Sequence, residues 1–153
     1  MTKKNSTEKD FGEVFNSINS INKIVVSRGN PQAQLMLIGE APGAKEELVG
    51  KPFVGRSGKL LDKLLQNAGI DINQDVYFCN VVKCRPPKNR RPTKIEIQEN
   101  LPWLFQQIKL VNPRVIVLVG ATALESILKI KSPISILRGK WINWEERLVI
   151  PVF

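Results

Sequence analysis

No histidine occurs in the 153 residues, and that absence removes more chemistry than any single motif adds. Ser-His and Cys-His nucleophile systems, imidazole general bases and histidine metal sites are all excluded within them. Cysteine is scarce as well, with Cys79 and Cys84 the only two. They form no Cys-x-x-Cys pair, so neither half a zinc site nor a disulfide framework is present, and a cytoplasmic setting is expected. No apolar run approaches the length that crosses a bilayer, and the opening MTKKNSTEKD lacks the apolar core of a signal peptide. No membrane association is expected. Acidic residues are few: 14 Asp and Glu against 23 Lys and Arg leave a net charge of +9. Such an excess favours a polyanionic partner, most simply DNA or RNA, over general solubility.

What is there suits one packed domain, since 153 residues at 42% hydrophobic suffice for a single core and not for two. Residues 1–30 read as a polar amino terminus plus a flanking amphipathic helix, with Phe11, Val14, Phe15, Ile18 and Ile21 at helical spacing. Residues 31–153 read as the domain proper. AQLMLIG (33–39), DVYFCNVV (75–82), RVIVLVG (114–120) and RLVIPVF (147–153) are short apolar runs of the kind buried strands show. Between them, GKLLDKLLQNAG (58–69), TKIEIQENLPWLFQQIKLV (93–111) and ATALESILK (121–129) have helical spacing. Thr93 and Glu96 fit a capping box, and Pro102 is expected to kink or divide its helix. The alternation predicts a three-layer α/β/α sandwich around a central, mainly parallel four-stranded sheet. The last strand would leave an apolar edge open to aggregation.

Sites in open parallel sheets lie beyond the carboxyl ends of the strands. That rule selects GEAPG (39–43), Asn80 with the loop after it, and Gly120. Gly39 and Gly43 would let backbone approach a ligand and leave amides free for an anion or a carbonyl, or would simply make a tight strand-to-helix turn. Neither GEAPGAK nor GRSGK has phosphate-loop spacing, which argues against a nucleotide-handling enzyme. Phe53, in a glycine-flanked loop, is either a plug on the core or a platform for a flat base. Asn80 offers an acceptor beside two donors, as reading a base edge requires, or makes a local turn bond. In KCRPPKNRRPTK six of twelve residues are basic, and no acid occurs from Val76 to Ile95. Phosphate contact is the better reading of that loop.

The phrases LIGEAPGAKEE, GKPFVGRSGKLLDKLL, VYFCNVVKCRPPKNRRP, NPRVIVLVGATAL and LRGKW, in this order, resemble the family 4 uracil-DNA glycosylases. The resemblance runs from about residue 33 to the end. It implies DNA repair by hydrolysis of the N-glycosidic bond of deoxyuridine, in single- or double-stranded DNA, with the base flipped into a pocket. It places catalytic positions at Glu40, Ala41 and Asn80, and pocket positions at Gly39, Pro42, Gly43, Glu46, Phe53 and Asn80. In that pocket Phe53 would stack on uracil. Asn80 would accept from N3–H and donate to O4, and Glu46 would crowd C5 against the methyl of thymine. Lys83, Arg85, Lys88, Arg90 and Arg91 would meet DNA phosphates. Ala41 stands where other glycosylase families carry a water-activating aspartate, which implies a dissociative, oxocarbenium-like transition state. A monomer is expected.

Two features of the family are missing from these residues. The family's second motif, His-Pro-Ser followed by a Leu-Leu-Arg loop, comes just after a strand like RLVIPVF, where this sequence ends. Without one transition-state donor, activity is expected to be impaired by roughly a hundredfold to a thousandfold. The alternative is a non-catalytic nucleic-acid-binding remnant of the fold. The family's four-iron four-sulfur cluster takes four cysteines: a pair near the start, one at the Cys84 position and one about sixteen residues on, where Asn100 stands. No cluster is therefore expected, with Cys84 an unoccupied ligand position and Cys79 an ordinary strand residue.

Overall fold

The computed structural model describes residues 23–153, so the helix expected over 11–21 lies outside the described residues. The elements, in chain order, are β1 (Arg28–Gly29), β2 (Leu35–Gly39), α1 (Ala44–Val49), α2 (Arg56–Asn67) and β3 (Val76–Asn80). A 3-10 turn (Pro87–Asn89) leads to α3 (Lys94–Val111), β4 (Val115–Val119), α4 (Ala121–Leu128), α5 (Ile134–Leu137), β5 (Ile142–Trp144) and β6 (Arg147–Val152).

The sheet has six strands in the order β1-β3-β2-β4-β6-β5, and not the four expected. Its centre is the anticipated parallel set, with β2 paired to β3 and β4, and β4 paired to β6. The two additions are antiparallel edges, β1 on β3 and β5 on β6. They escape a reading by periodicity because two or three residues cannot display alternation. The β5–β6 hairpin turns through Glu145 and Glu146, both at positive φ, without the Asn-Gly or Asp-Gly that would announce such a turn. It also covers the edge of β6, so the open apolar edge expected there does not arise. Ile24 bridges to Cys84 and β1 pairs with β3, so the sheet takes in residues ahead of position 31.

Side-chain alternation along the strands divides the core into two layers. Met36, Ile38, Tyr77, Cys79, Ile116 and Leu118 face α3 and α4, meeting Leu104, Ile108, Val111, Leu124 and Ile127. Leu37, Val76 and Phe78 face the other way, toward Leu61 and Leu65 of α2. This is the three-layer arrangement. Complete burial of each large aliphatic chain contributes about 1.5–3 kcal/mol. α3 starts at the expected capping box: Thr93 accepts from the Glu96 amide and the Glu96 carboxylate accepts from the Thr93 amide. The helix runs undivided through Pro102, since the packing of Leu101, Leu104, Phe105 and Ile108 outweighs the one lost backbone bond.

Candidate base-binding site

The parallel register places Gly39 directly beside Asn80 at the carboxyl ends of β2 and β3. Alternation then turns Asn80 to the same face as Phe78, the face that α2 covers. Phe53 reaches this point from the loop ahead of α2, and its ring lies 5.7 Å from that of Phe78 at 52°. A Cβ added to Gly39 would sit 2.6 Å from the Asn80 amide oxygen and 2.6 Å from the tip of the Phe53 ring. The bare glycine is what lets an aromatic edge and a carboxamide converge. An apolar plane beside a paired donor and acceptor suits one face and one edge of a planar heterocycle.

The walls of the site are fastened from several elements. Phe53 has φ 56, in the left-handed region that a bulky residue occupies only when held. The Glu46 carboxylate on α1 accepts from the Gly55 amide at 3.1 Å, tying the segment after GEAPG to the Phe53 loop. Glu40 accepts a hydrogen bond from the hydroxyl of Thr122 on α4. Ala41 packs on the core layer beneath α3 and α4, Pro42 is buried, and Gly43 caps α1. Beyond Asn80 the ladder continues, Val81 donating to Gly39 at 2.8 Å and Val82 to Glu40 at 3.0 Å.

The basic loop divides into two environments. Lys88, Arg90 and Arg91 are exposed and Arg85 is half-buried. Arg85 bonds Asn89 at 2.7 Å and lies 3.7 Å from Glu47, while Arg90 and Arg91 pair with Glu96 and Glu125, each at 2.7 Å. The Arg90 hydrogen bond, aided by the Thr93 amide, holds the Glu96 carboxyl down to about 2. Lys83 departs from the phosphate-facing role expected of it, because it is fully buried. Its ammonium donates to the carbonyl of Asn80 at 2.6 Å and to the Gln107 side chain, which in turn donates to the Tyr77 hydroxyl at 2.9 Å. Burial pushes Lys83 below the ordinary lysine value, opposed in part by an electrostatic contribution from the neighbouring Cys79. Lys83 thus braces the strand end that carries Asn80.

A model of the uracil DNA glycosylase superfamily matches residues 26–153. The chain belongs to that superfamily. A type-4 uracil-DNA glycosylase of Thermotoga maritima is 47% identical over 132 residues, covering 85% of this chain and 68% of the relative. One from Saccharolobus solfataricus is 39% identical over 137 residues, covering 84% of this chain and 63% of the relative. A type-5 uracil-DNA glycosylase of Thermus thermophilus is 36% identical over 114 residues, covering 65% and 52%. The chain therefore spans about half to two thirds of its relatives' lengths.

The residues of this superfamily member do not fit the four-iron cluster that its family 4 resemblance implies. Four ligands are needed, and the 153 residues hold two cysteines and no histidine. Cys79 is buried in β3, while Cys84 is half-buried, its thiol pushed up by burial and then by Glu47. Asn100 spends its side chain on the loop itself, accepting from the Lys83 amide at 3.1 Å and donating to the Glu96 carbonyl at 2.8 Å. Among the described residues, no group of three or more His, Cys, Asp or Glu is placed to hold a metal ion. Nor is any helix there long and apolar enough to cross a membrane.

Sequence reasoning missed the support behind these positions. Lys83 was read as a surface charge, although Gln107 lies on the helix face marked by Leu104, Ile108 and Val111, and a buried glutamine there signals a buried polar partner. Arg28 gave no signal at all.

Proposed function

We propose that this chain is a DNA-repair enzyme that hydrolyses the N-glycosidic bond between uracil and deoxyribose in DNA. The observation that carries the reading is the convergence of Phe53 and Asn80 over Gly39. The flipped uracil would stack on Phe53, while Asn80 accepts from N3–H and donates to O4. Cytosine presents the reversed pattern at these positions. Glu46, already anchored on the Gly55 amide, would border C5 and exclude the methyl of thymine.

Bond breaking fits a dissociative course, because no carboxylate stands at Ala41 to activate water. The C1′–N1 electron pair leaves with uracil as an anion, the sugar becomes an oxocarbenium ion, and water adds at C1′ with loss of a proton. Backbone around Gly39 to Gly43 would hold that water. Lys88, Arg85, Arg90 and Arg91 supply the phosphate contacts. The carboxylates paired with the arginines are no obstacle, since exposed pairs contribute only about 0–1 kcal/mol and a phosphate can displace them. The enzyme needs no iron-sulfur cluster and works as a cytoplasmic monomer.

Single-turnover excision from oligonucleotides carrying uracil, cytosine or thymine at one position, in single strands and in duplexes, tests the reading. Uracil alone should be released, and Asn80→Ala should abolish release. Salt-sensitive binding without release of any base would leave a nucleic-acid-binding remnant and sink the enzymatic reading.

A further inference from the structure

We propose that Arg28, on the edge strand β1, is a positioning residue that fixes Phe53 as the stacking platform; this rests on the reading of Phe53 as the surface that receives uracil. Arg28 lies 25 residues before Phe53, yet both Nε and Nη2 of its guanidinium donate to carbonyls of the Phe53 loop. Nε donates to the Pro52 carbonyl at 2.7 Å, and Nη2 donates to the Phe53 carbonyl at 3.0 Å and to Asp62 at 2.8 Å. The guanidinium carbon stands 3.7 Å from the centre of the Phe78 ring, and Phe78 is the ring against which Phe53 leans. The side chain is 12% exposed, and that of Asp62 on α2 is 22% exposed.

These contacts act on the feature that makes the loop improbable, the left-handed backbone at Phe53. In that conformation the carbonyls of residues 52 and 53 turn in toward β1, where the planar fork of one guanidinium meets both. On its other side the Phe53 carbonyl is packed against Gly58, where a Cβ would collide with it. The carbonyl is therefore held between α2 and β1, and the ring direction follows from the backbone. A lysine ammonium could still donate to these carbonyls but offers neither the rigid planar fork nor the flat stack on Phe78. The Asp62 carboxylate completes the device by fixing the guanidinium plane from α2.

The test compares Arg28→Gln, Arg28→Lys, Phe53→Ala and the double variant Arg28→Gln/Phe53→Ala in the full chain. Uracil release is measured under single-turnover conditions, and the protein is labelled with fluorophenylalanine for 19F NMR, the Phe53 line being assigned with Phe53→Leu. Arg28→Gln should raise the half-saturating concentration and slow release by about tenfold or more, as a misplaced group does. Arg28→Lys should recover part of that loss. On the Phe53→Ala background, Arg28→Gln should cost nothing further, because it acts through the ring. The Phe53 fluorine line should shift and broaden in both Arg28 variants. A full additive loss in the double variant, or an unchanged Phe53 line, would overturn the proposal. Should the wild type release no uracil, the glycosylase reading fails on its own, and the fluorine line still decides the role of Arg28.

Discussion

Replacing Gly39 by alanine probes the site with one methyl group. The added Cβ would fall 2.6 Å from both the Asn80 oxygen and the Phe53 ring tip, whereas ordinary contact begins near 3.4 Å. Each group must therefore retreat by about 0.8 Å, and both obstructing atoms are ends of side chains that can give way. The fold should survive at a cost of about 1–3 kcal/mol, the range for overpacking, or a fall in Tm of very roughly 2–12 °C. Function should not survive so well. A displacement near 1 Å at a reacting centre can cost about a hundredfold, and here both groups proposed to hold the base move together. Single-turnover uracil release from an oligonucleotide, run beside a thermal melt, separates the two effects. Release within a few fold of the wild-type rate would refute the claim that Phe53 and Asn80 act together over Gly39.

Gly58→Ala should behave in the opposite way: its Cβ would meet the backbone carbonyl of Phe53, which cannot swing aside, so thermal stability should fall further than in Gly39→Ala. Equal melting points for the two variants would contradict this contrast. Lys83 should leave a signature in the pH dependence of stability. Its folded pKa lies below the ordinary 10.5, so between the lowered value and 10.5 the unfolded chain binds the extra proton. Stability then rises with pH between those two values and gains nothing more above 10.5. Urea melts over a pH series should show this rise in the wild type and a flatter profile in Lys83→Met; parallel profiles would mean that the buried amine does not titrate differently on folding.

The parallel centre of the sheet was legible because a strand buried on both faces reads as an unbroken apolar run, as LMLIG, VYFCN and VIVLV do. The edges were not, because β1 is the dipeptide Arg28–Gly29 and β5 is three residues long. The site divides along the same line. Gly39 and Asn80 could be found from the sequence, since the carboxyl ends of adjacent parallel strands are where ligands meet such sheets. For Phe53 the residues alone left a core plug and a base platform both open, and only the resemblance favoured the platform, because the residue's left-handed backbone has no local sequence mark. Long-range partners stayed hidden: Arg28 meets Phe53 and Asp62 only after β1 joins the sheet, and Lys83 leaves solvent only when α3 brings Gln107 over β3. A lysine in a stretch with five other basic residues reads as surface charge, while the fold assigns it to the core.

The central claim is that this chain frees uracil from DNA by means of the Asn80 and Phe53 site. Mass-spectrometric detection of free uracil, from a uracil-containing duplex incubated with excess protein, tests it most directly when Asn80→Ala is run in parallel. The account predicts uracil and an abasic strand with the wild-type chain, and neither with Asn80→Ala. Intact uracil-containing DNA after incubation with the wild type, or equal release by Asn80→Ala, would contradict it.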